Sequence, residues 1–219
     1  MNSAAAGGVG GPGRDCPLCP RLVEFRKTNR AQFPDWHNAP VPSFGGDGAR
    51  LLIVGLAPGL RGANRTGRPF TGDWAGDLLY ETLGKFGFAR GAYGERADDG
   101  LALIDCRITN GVRCVPPENK PTGGEVAACR RFLKTEISAL PRLKIILALG
   151  GIAHSAVLAA LGMRISAFKF RHGAMNRLQS GPILAASYHC SRYNTNTGKL
   201  TAAMFESVFA EIKARLDAP

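Results

Sequence analysis

Six cysteines and a few polar side chains at the ends of apolar segments are the residues of this chain that can do chemistry. Cys16 and Cys19 form a Cys-x-x-Cys pair with Pro17 and Pro20 beside them; the other thiols are Cys106, Cys114, Cys129 and Cys190. No secretion signal precedes them, so a disulfide framework is not expected. A Cys-x-x-Cys pair in a cytosolic chain points to metal or redox chemistry. A redox pair follows a strand inside a βαβ unit. This one precedes a helical stretch, so metal binding fits better. The polar candidates begin with GLAPGLRGANRTGRPFTGDWAGDLLY, residues 55–80. That run leaves the apolar segment Leu51-Leu52-Ile53-Val54, carries Arg61, Arg65 and Arg68, and ends where Asp73 opens an apolar-periodic helix. Taken alone, such a connection needs Asp73 only as an N-cap. Asn110, after LALIDCRIT, and His189, just past residues 182–187, stand in equivalent places.

Positioning these residues requires particular elements. Apolar spacing at Leu22, Val23 and Phe25 predicts a helix over 20–33, followed by a Pro/Gly loop over 34–49. Strands are predicted at 50–54, Leu101 to Thr109, Leu143 to Leu149, and Pro182 to Ser187. Helices are predicted over 74–86, from Thr122 through Ile137, over 152–161, and from Thr201 through Ile212. Thr122 and Glu125 have capping-box spacing. Residues 88–100 read as a polar loop and 163–181 as a basic irregular segment. Four apolar strands alternating with helices predict a three-layer α/β/α sandwich around a four-stranded parallel sheet. The loops starting at Gly55, Asn110 and His189 then leave C-terminal strand ends on one sheet edge and can form one site. The dinucleotide fingerprint and the P-loop are both absent, which disfavours a nucleotide-cofactor enzyme.

The 219 residues, 45% of them hydrophobic, suit one domain, drawn at 15–219 behind a flexible small-residue tail at 1–14. No apolar run is long enough to span a membrane, and the N-terminus lacks the order of a signal peptide. A cytoplasmic monomer is expected. The formal net charge of +11 calls for a polyanionic partner, nucleic acid first.

Several separated motifs now point one way. GLAPG at 55–59, GRPFTGD at 67–73, TNGVRCVPPENKPT at 109–122, CRRFL at 129–133, and YHCS followed by NTNTGKLT at 194–201 resemble uracil-DNA glycosylases. The resemblance is strongest to the iron–sulfur group of families 4 and 5, and Leu56 in the first motif favours family 5. It implies a 4Fe–4S cluster on Cys16, Cys19, Cys114 and Cys129, the last two separated by fourteen residues. Zinc uses the same ligands and is the less favoured metal. Cys106 reads as a buried small hydrophobe. Cys190 stands where the family usually has proline, which leaves a fifth-thiol role open.

The implied reaction is hydrolysis of the bond between base and deoxyribose, on a nucleotide flipped out of DNA. By the resemblance, Phe70 stacks on uracil, Asn110 reads its Watson–Crick edge, and His189 contacts O2 as charge builds there. Backbone amides around Leu56 and Ala57 add donors. Ala57 stands where the best-known relatives carry a water-activating carboxylate or amide, and Asp73 is the family 5 residue proposed to take over. Gly59 occupies the place of the thymine-excluding tyrosine, which implies broader selectivity, deaminated purines included. DNA contact falls to Arg61, Arg65, Arg113, Lys120, Lys169, Arg171 and Arg192, with Arg192 and Tyr193 in the loop that relatives insert into the minor groove. His37, His154 and His172 read as structural or surface residues. Two alternatives stay open: a glycosylase of the same scaffold with another preferred base, and a catalytically silent, metal-stapled DNA-binding module.

Overall fold

The computed structural model describes residues 10–179 and 181–218. The first nine residues of the expected tail lie outside the described chain. At the end of the tail the Arg14 carbonyl accepts from the Arg30 guanidinium, as does the carboxylate of Asp15, the first residue of the expected domain.

The core strands are β1 (Leu51–Gly55), β4 (Cys106–Asn110), β5 (Ile145–Leu149) and β7 (Ile183–Ser187), all parallel. Every residue of β1, β4 and β5 is buried. Continuous apolar runs are what a sheet covered on both faces demands. Successive side chains on a strand point to opposite faces. Leu51 and Ile53 accordingly pack with α3 (Trp74–Lys85) and α7 (Ala202–Asp217), through Leu79, Leu83, Phe205 and Phe209. Leu52 and Val54 pack on the other face with α4 (Gly123–Ser138) and α5 (Gly151–Ala160), through Leu133, Ile137, Val157 and Leu158. The three expected layers are present.

The sheet has five strands, in the order β4-β1-β5-β7-β6, rather than the four expected. The fifth is β6 (Met175–Arg177), an antiparallel edge strand inside the segment read as irregular. Its MNR sequence has no strand pattern; pairing with β7 creates it. The strand expected from Leu101 to Thr109 is two. Asp105 adopts φ 53°, a left-handed kink that ends β3 (Ala102–Leu103) before β4 begins. β3 then pairs antiparallel with β2 (Ala89–Arg90), part of the expected loop, in a separate ribbon. At the kink, Asp105 accepts from both the backbone N–H and Nε of Arg50.

α1 (Pro20–Gln32) begins directly after Cys19. Two short helices, α2 (Ala63–Thr66) and α6 (Arg192–Asn196), stand where the sequence predicts loops. The Thr122–Glu125 capping box is formed as expected.

Candidate active site and four-thiol cavity

The C-terminal ends of β1, β4 and β7 open on one cleft of about 390 Å³. Among its lining residues are Leu56, Ala57, Phe70, Asp73, Asn110 and His189. Pairing continues past the strands: Gly111 N–H donates to Gly55 O and Val112 N–H to Leu56 O, both at 2.9 Å. The loops leaving β1 and β4 therefore share one rigid floor.

Phe70 and Asn110 meet over Gly55. A methyl on Gly55 would fall 2.4 Å from Asn110 Oδ1 and 2.6 Å from Phe70 Cζ, so this position has room only for hydrogen. Phe70 has φ 53°, unusual for an aromatic residue. Arg68, at the start of the same turn, holds it there. Its guanidinium forms a buried bidentate pair with Asp99, at 2.7 and 2.6 Å, and faces the rings of Phe44, Tyr80 and Tyr93. The pair holds the Asp99 carboxyl well below the usual carboxylate range. The His189 ring lies 5.7 Å from Phe70, centroid to centroid, and tilted by 28°. Enclosure pushes its pKa down to about 4, so the imidazole is neutral at physiological pH. Among the described residues, neither the Asn110 amide nor the His189 ring makes a protein hydrogen bond; both are left for a ligand.

Asp73 is the N-cap of α3, with Oδ1 accepting from Ala75 N–H at 3.2 Å. Its other oxygen faces the loop after β1. Methyl groups on Gly59 and Gly62 would lie 2.8 and 2.2 Å from Oδ2. The space beside Gly59 is thus taken by the Asp73 carboxylate rather than left vacant. Burial raises the Asp73 pKa, against the lowering effect of hydrogen bonds from Gly76 and Ala75.

Of the cations expected to contact DNA, Arg192 lines the cleft. Arg61, Arg65, Lys120, Lys169, Arg171 and Arg192 are exposed. Arg113 is not: only 2% exposed, it pairs with Glu136, which also binds Arg107 and Thr109. Burial favours the neutral form of Glu136, but Arg113 and Arg107 keep its pKa below the ordinary value. A guanidinium locked in that network is closed to DNA phosphates, which corrects the surface role expected for Arg113. Tyr193 is 73% exposed on α6, the most open of the large hydrophobic side chains described. Trp74, which sequence reasoning missed, also lines the cleft. Its indole N–H donates to Thr195 Oγ1 at 2.9 Å, and the Arg192 guanidinium lies 5.2 Å over its ring. An indole directly after the capping Asp73 was the available signal. His172 accepts from Tyr188 N–H at 3.2 Å, a structural role as expected. His154 is buried in α5, and His37 contacts Pro40 O.

Cys16, Cys19, Cys114 and Cys129 line a second, small cavity together with Leu22, Arg26, Val112 and Phe132. N–H donors point at two of the sulfurs: Arg113 N–H to Cys129 Sγ at 3.4 Å, and Arg26 Nη1 to Cys114 Sγ at 3.6 Å. Burial pushes the Cys114 thiol up to about 12. Among the described residues, no three His, Cys, Asp or Glu side chains are placed to hold a single metal ion. The donor set is all thiol, with two N–H groups suited to thiolate acceptors, and this chemistry fits an iron–sulfur cluster. Cys106 starts β4 and is buried in the core. Cys190 is buried as well, its thiol donating to Ala75 O at 3.3 Å, away from the four-thiol cavity. A fifth-thiol role is thereby removed.

Comparison with known proteins agrees with this architecture. The family model described as "Uracil DNA glycosylase superfamily" matches residues 42–213. The chain is similar to the type-5 uracil-DNA glycosylase of Thermus thermophilus, 48% identical over 90% of this chain and 92% of the relative. It is 42% identical to the type-5 uracil-DNA glycosylase of Mycobacterium leprae, over 90% of each chain. A type-4 uracil-DNA glycosylase of Pyrobaculum aerophilum is 38% identical over 69% of this chain and 63% of its own length. No helix among the described residues is long and apolar enough to cross a membrane. The chain belongs to the uracil-DNA glycosylase superfamily.

Proposed function

We propose that the protein is a DNA-repair glycosylase that removes uracil from DNA, and that the cleft at the C-terminal edge of the sheet is its active site. The observation that carries the reading is the convergence of one aromatic ring, one amide, one neutral imidazole and one carboxylate, from three strand ends, in a single cleft. The flipped base lies against Phe70, and the unengaged Asn110 amide offers both a donor and an acceptor to its edge. As the glycosidic bond stretches, negative charge moves onto the uracil oxygens and positive charge onto the sugar. Neutral His189 donates a hydrogen bond toward O2, where an N–H is worth most as charge builds. Asp73 orients the attacking water and stabilises the cation-like sugar through Oδ2. Ala57 has only a methyl and takes no part in activating water. Arg192 and Tyr193 fill the gap left by the extruded nucleotide, and Arg61, Arg65, Lys169 and Arg171 bind backbone phosphates.

The four cysteines hold a 4Fe–4S cluster, which supplies a structural cross-link rather than a chemical step. It ties the N-terminal segment and α1 to α4 and to the loop that follows Asn110. Zinc would use the same four thiolates, about 2.3 Å from one point, and is the less favoured metal.

Incubation with a uracil-containing oligonucleotide, followed by alkaline cleavage, tests the function directly. Strand scission at the uracil is expected. Intact strands with DNA binding retained would leave only a silent binding module. Hypoxanthine and xanthine oligonucleotides in the same assay define how far the base range extends.

A further inference from the structure

The 59–73 loop has two faces. One lines the cleft. The other borders an open depression of about 460 Å³, walled by Phe33, Trp36, Arg61, Arg65 and Gly72. Phe33 and Trp36 are stacked at 3.9 Å with only 7° between their planes. A turn fixes them: Phe33 caps the end of α1, and Trp36 N–H donates to Phe33 O at 3.1 Å. Both stay partly exposed, whereas a stack made only for the core would be covered. Arg65 Nε donates to Arg61 O at 2.9 Å, which holds the side chain in place. A methyl on Gly72 would fall 2.6 Å from Arg65 Nη2, so the guanidinium lies over Gly72, the residue before Asp73. Among the described residues, neither Arg61 nor Arg65 pairs with a carboxylate.

We propose that the Phe33–Trp36 stack, with Arg61 and Arg65, is a nucleotide subsite that takes an unpaired base of the DNA strand beside the cleft. The inference rests on the glycosylase reading for the identity of the strand. A flat π-surface next to two free guanidinium groups matches a nucleotide in both its parts, base and phosphate. An acidic peptide would satisfy the arginines and leave the stack unused. A paired base keeps its faces inside the duplex, so the subsite selects unpaired nucleotides.

Trp36 reports on the subsite, because the chain has two tryptophans and Trp74→Phe leaves it as the sole indole. That protein would be titrated with uracil-free oligothymidylate, with a duplex of equal length, with inorganic phosphate and with polyglutamate. Saturable quenching by oligothymidylate is expected, with little from the others. Trp36→Leu should weaken binding of a fluorescently labelled oligothymidylate about tenfold. Arg61→Ala combined with Arg65→Ala changes only exposed residues. It should weaken the same binding and lower its salt slope by about 1.4, roughly 0.7 per charge on a single strand. Absence of quenching, equal quenching by phosphate or polyglutamate, or an unchanged salt slope would each overturn the subsite. Uracil excision is measured in parallel on the unsubstituted protein, because Trp74 lines the cleft. Excision without quenching removes the subsite alone; quenching without excision supports it and removes the glycosylase reading.

Discussion

Asp73 is asked to do two things, and the structure separates them. One oxygen caps α3 through Ala75 N–H; the other sits against the backbone of Gly59 and Gly62, facing the cleft. Asp73→Asn keeps a capping oxygen and removes the charge. Asparagine caps about as well as aspartate, whereas alanine in such a position costs about 1 kcal/mol. General-base catalysis contributes roughly 10²–10⁴-fold, so Asp73→Asn should slow single-turnover excision by about that factor. A second perturbation leaves the carboxylate in place and moves it. The methyl of Gly59→Ala would lie 2.8 Å from Oδ2, closer than a non-bonded carbon and oxygen approach, so the carboxylate must shift by about half an ångström. A displacement of about 1 Å can cost on the order of 10²-fold, and half of that should cost roughly tenfold. Stability supplies an independent check. Burial raises the Asp73 pKa in the folded state, so the folded protein holds this proton at pH values where the unfolded chain has released it. Stability therefore falls as pH rises from the ordinary value through the raised one. Asp73→Asn abolishes that loss, and its melting temperature relative to the parent should be higher at pH 7 than at pH 3. The assays are quench-flow excision on a uracil duplex and thermal melts at the two pH values. Near-normal excision by Asp73→Asn, with only Asp73→Ala losing stability, would reduce Asp73 to a helix cap and move the chemistry to His189 and the substrate.

Asn110→Asp should weaken uracil excision and admit cytosine, whose amino group matches a carboxylate; leaving a buried group unpaired costs roughly 1–3 kcal/mol, and unchanged kinetics on both bases would take Asn110 out of base recognition. Cys114→Ala should lower iron content, the visible charge-transfer absorbance and the melting temperature together; stoichiometric zinc and a colourless parent protein would refute the cluster. Replacing Arg192 and Tyr193 with alanine should slow excision from duplexes more than from single strands, since unstacking a paired base costs a few kcal/mol, and equal losses would mean simple phosphate contact. His189 has its folded-state pKa lowered to about 4 from 6.5 by enclosure, so between those values the unfolded chain binds a proton that the folded one does not. Stability contributed by neutral His189 is therefore lost as pH falls through that window, and His189→Gln should flatten the acid side of the stability profile; parallel profiles would mean that the ring is not enclosed in solution.

Much of the fold can be read locally. Leu51 to Val54, Leu143 to Leu149 and Pro182 to Ser187 are short apolar runs of strand length, as strands covered on both faces require. Asp73, Thr122 and Thr201 announce helix starts because capping is a contact across two or three residues. The cysteine spacing and the strand-end positions of Asn110 and His189 are similarly visible, since a parallel sheet must bring its C-terminal ends together. What the sequence does not determine is which partner each side chain finds. Arg61 and Arg113 look alike in one dimension; Glu136, on a distant helix, buries Arg113 and makes it structural. MNR becomes a strand only because β7 offers an open edge, and Cys190 loses any metal role because its thiol lands on Ala75 O. Trp36 reads as a loop residue, and Phe33 as the end of a helix, until folding sets the 59–73 loop beside them. Periodicity and capping act within a few residues and so leave their pattern in the sequence. Burial, ion pairing and the meeting of loops are settled between segments far apart in the chain, and only the tertiary structure contains them.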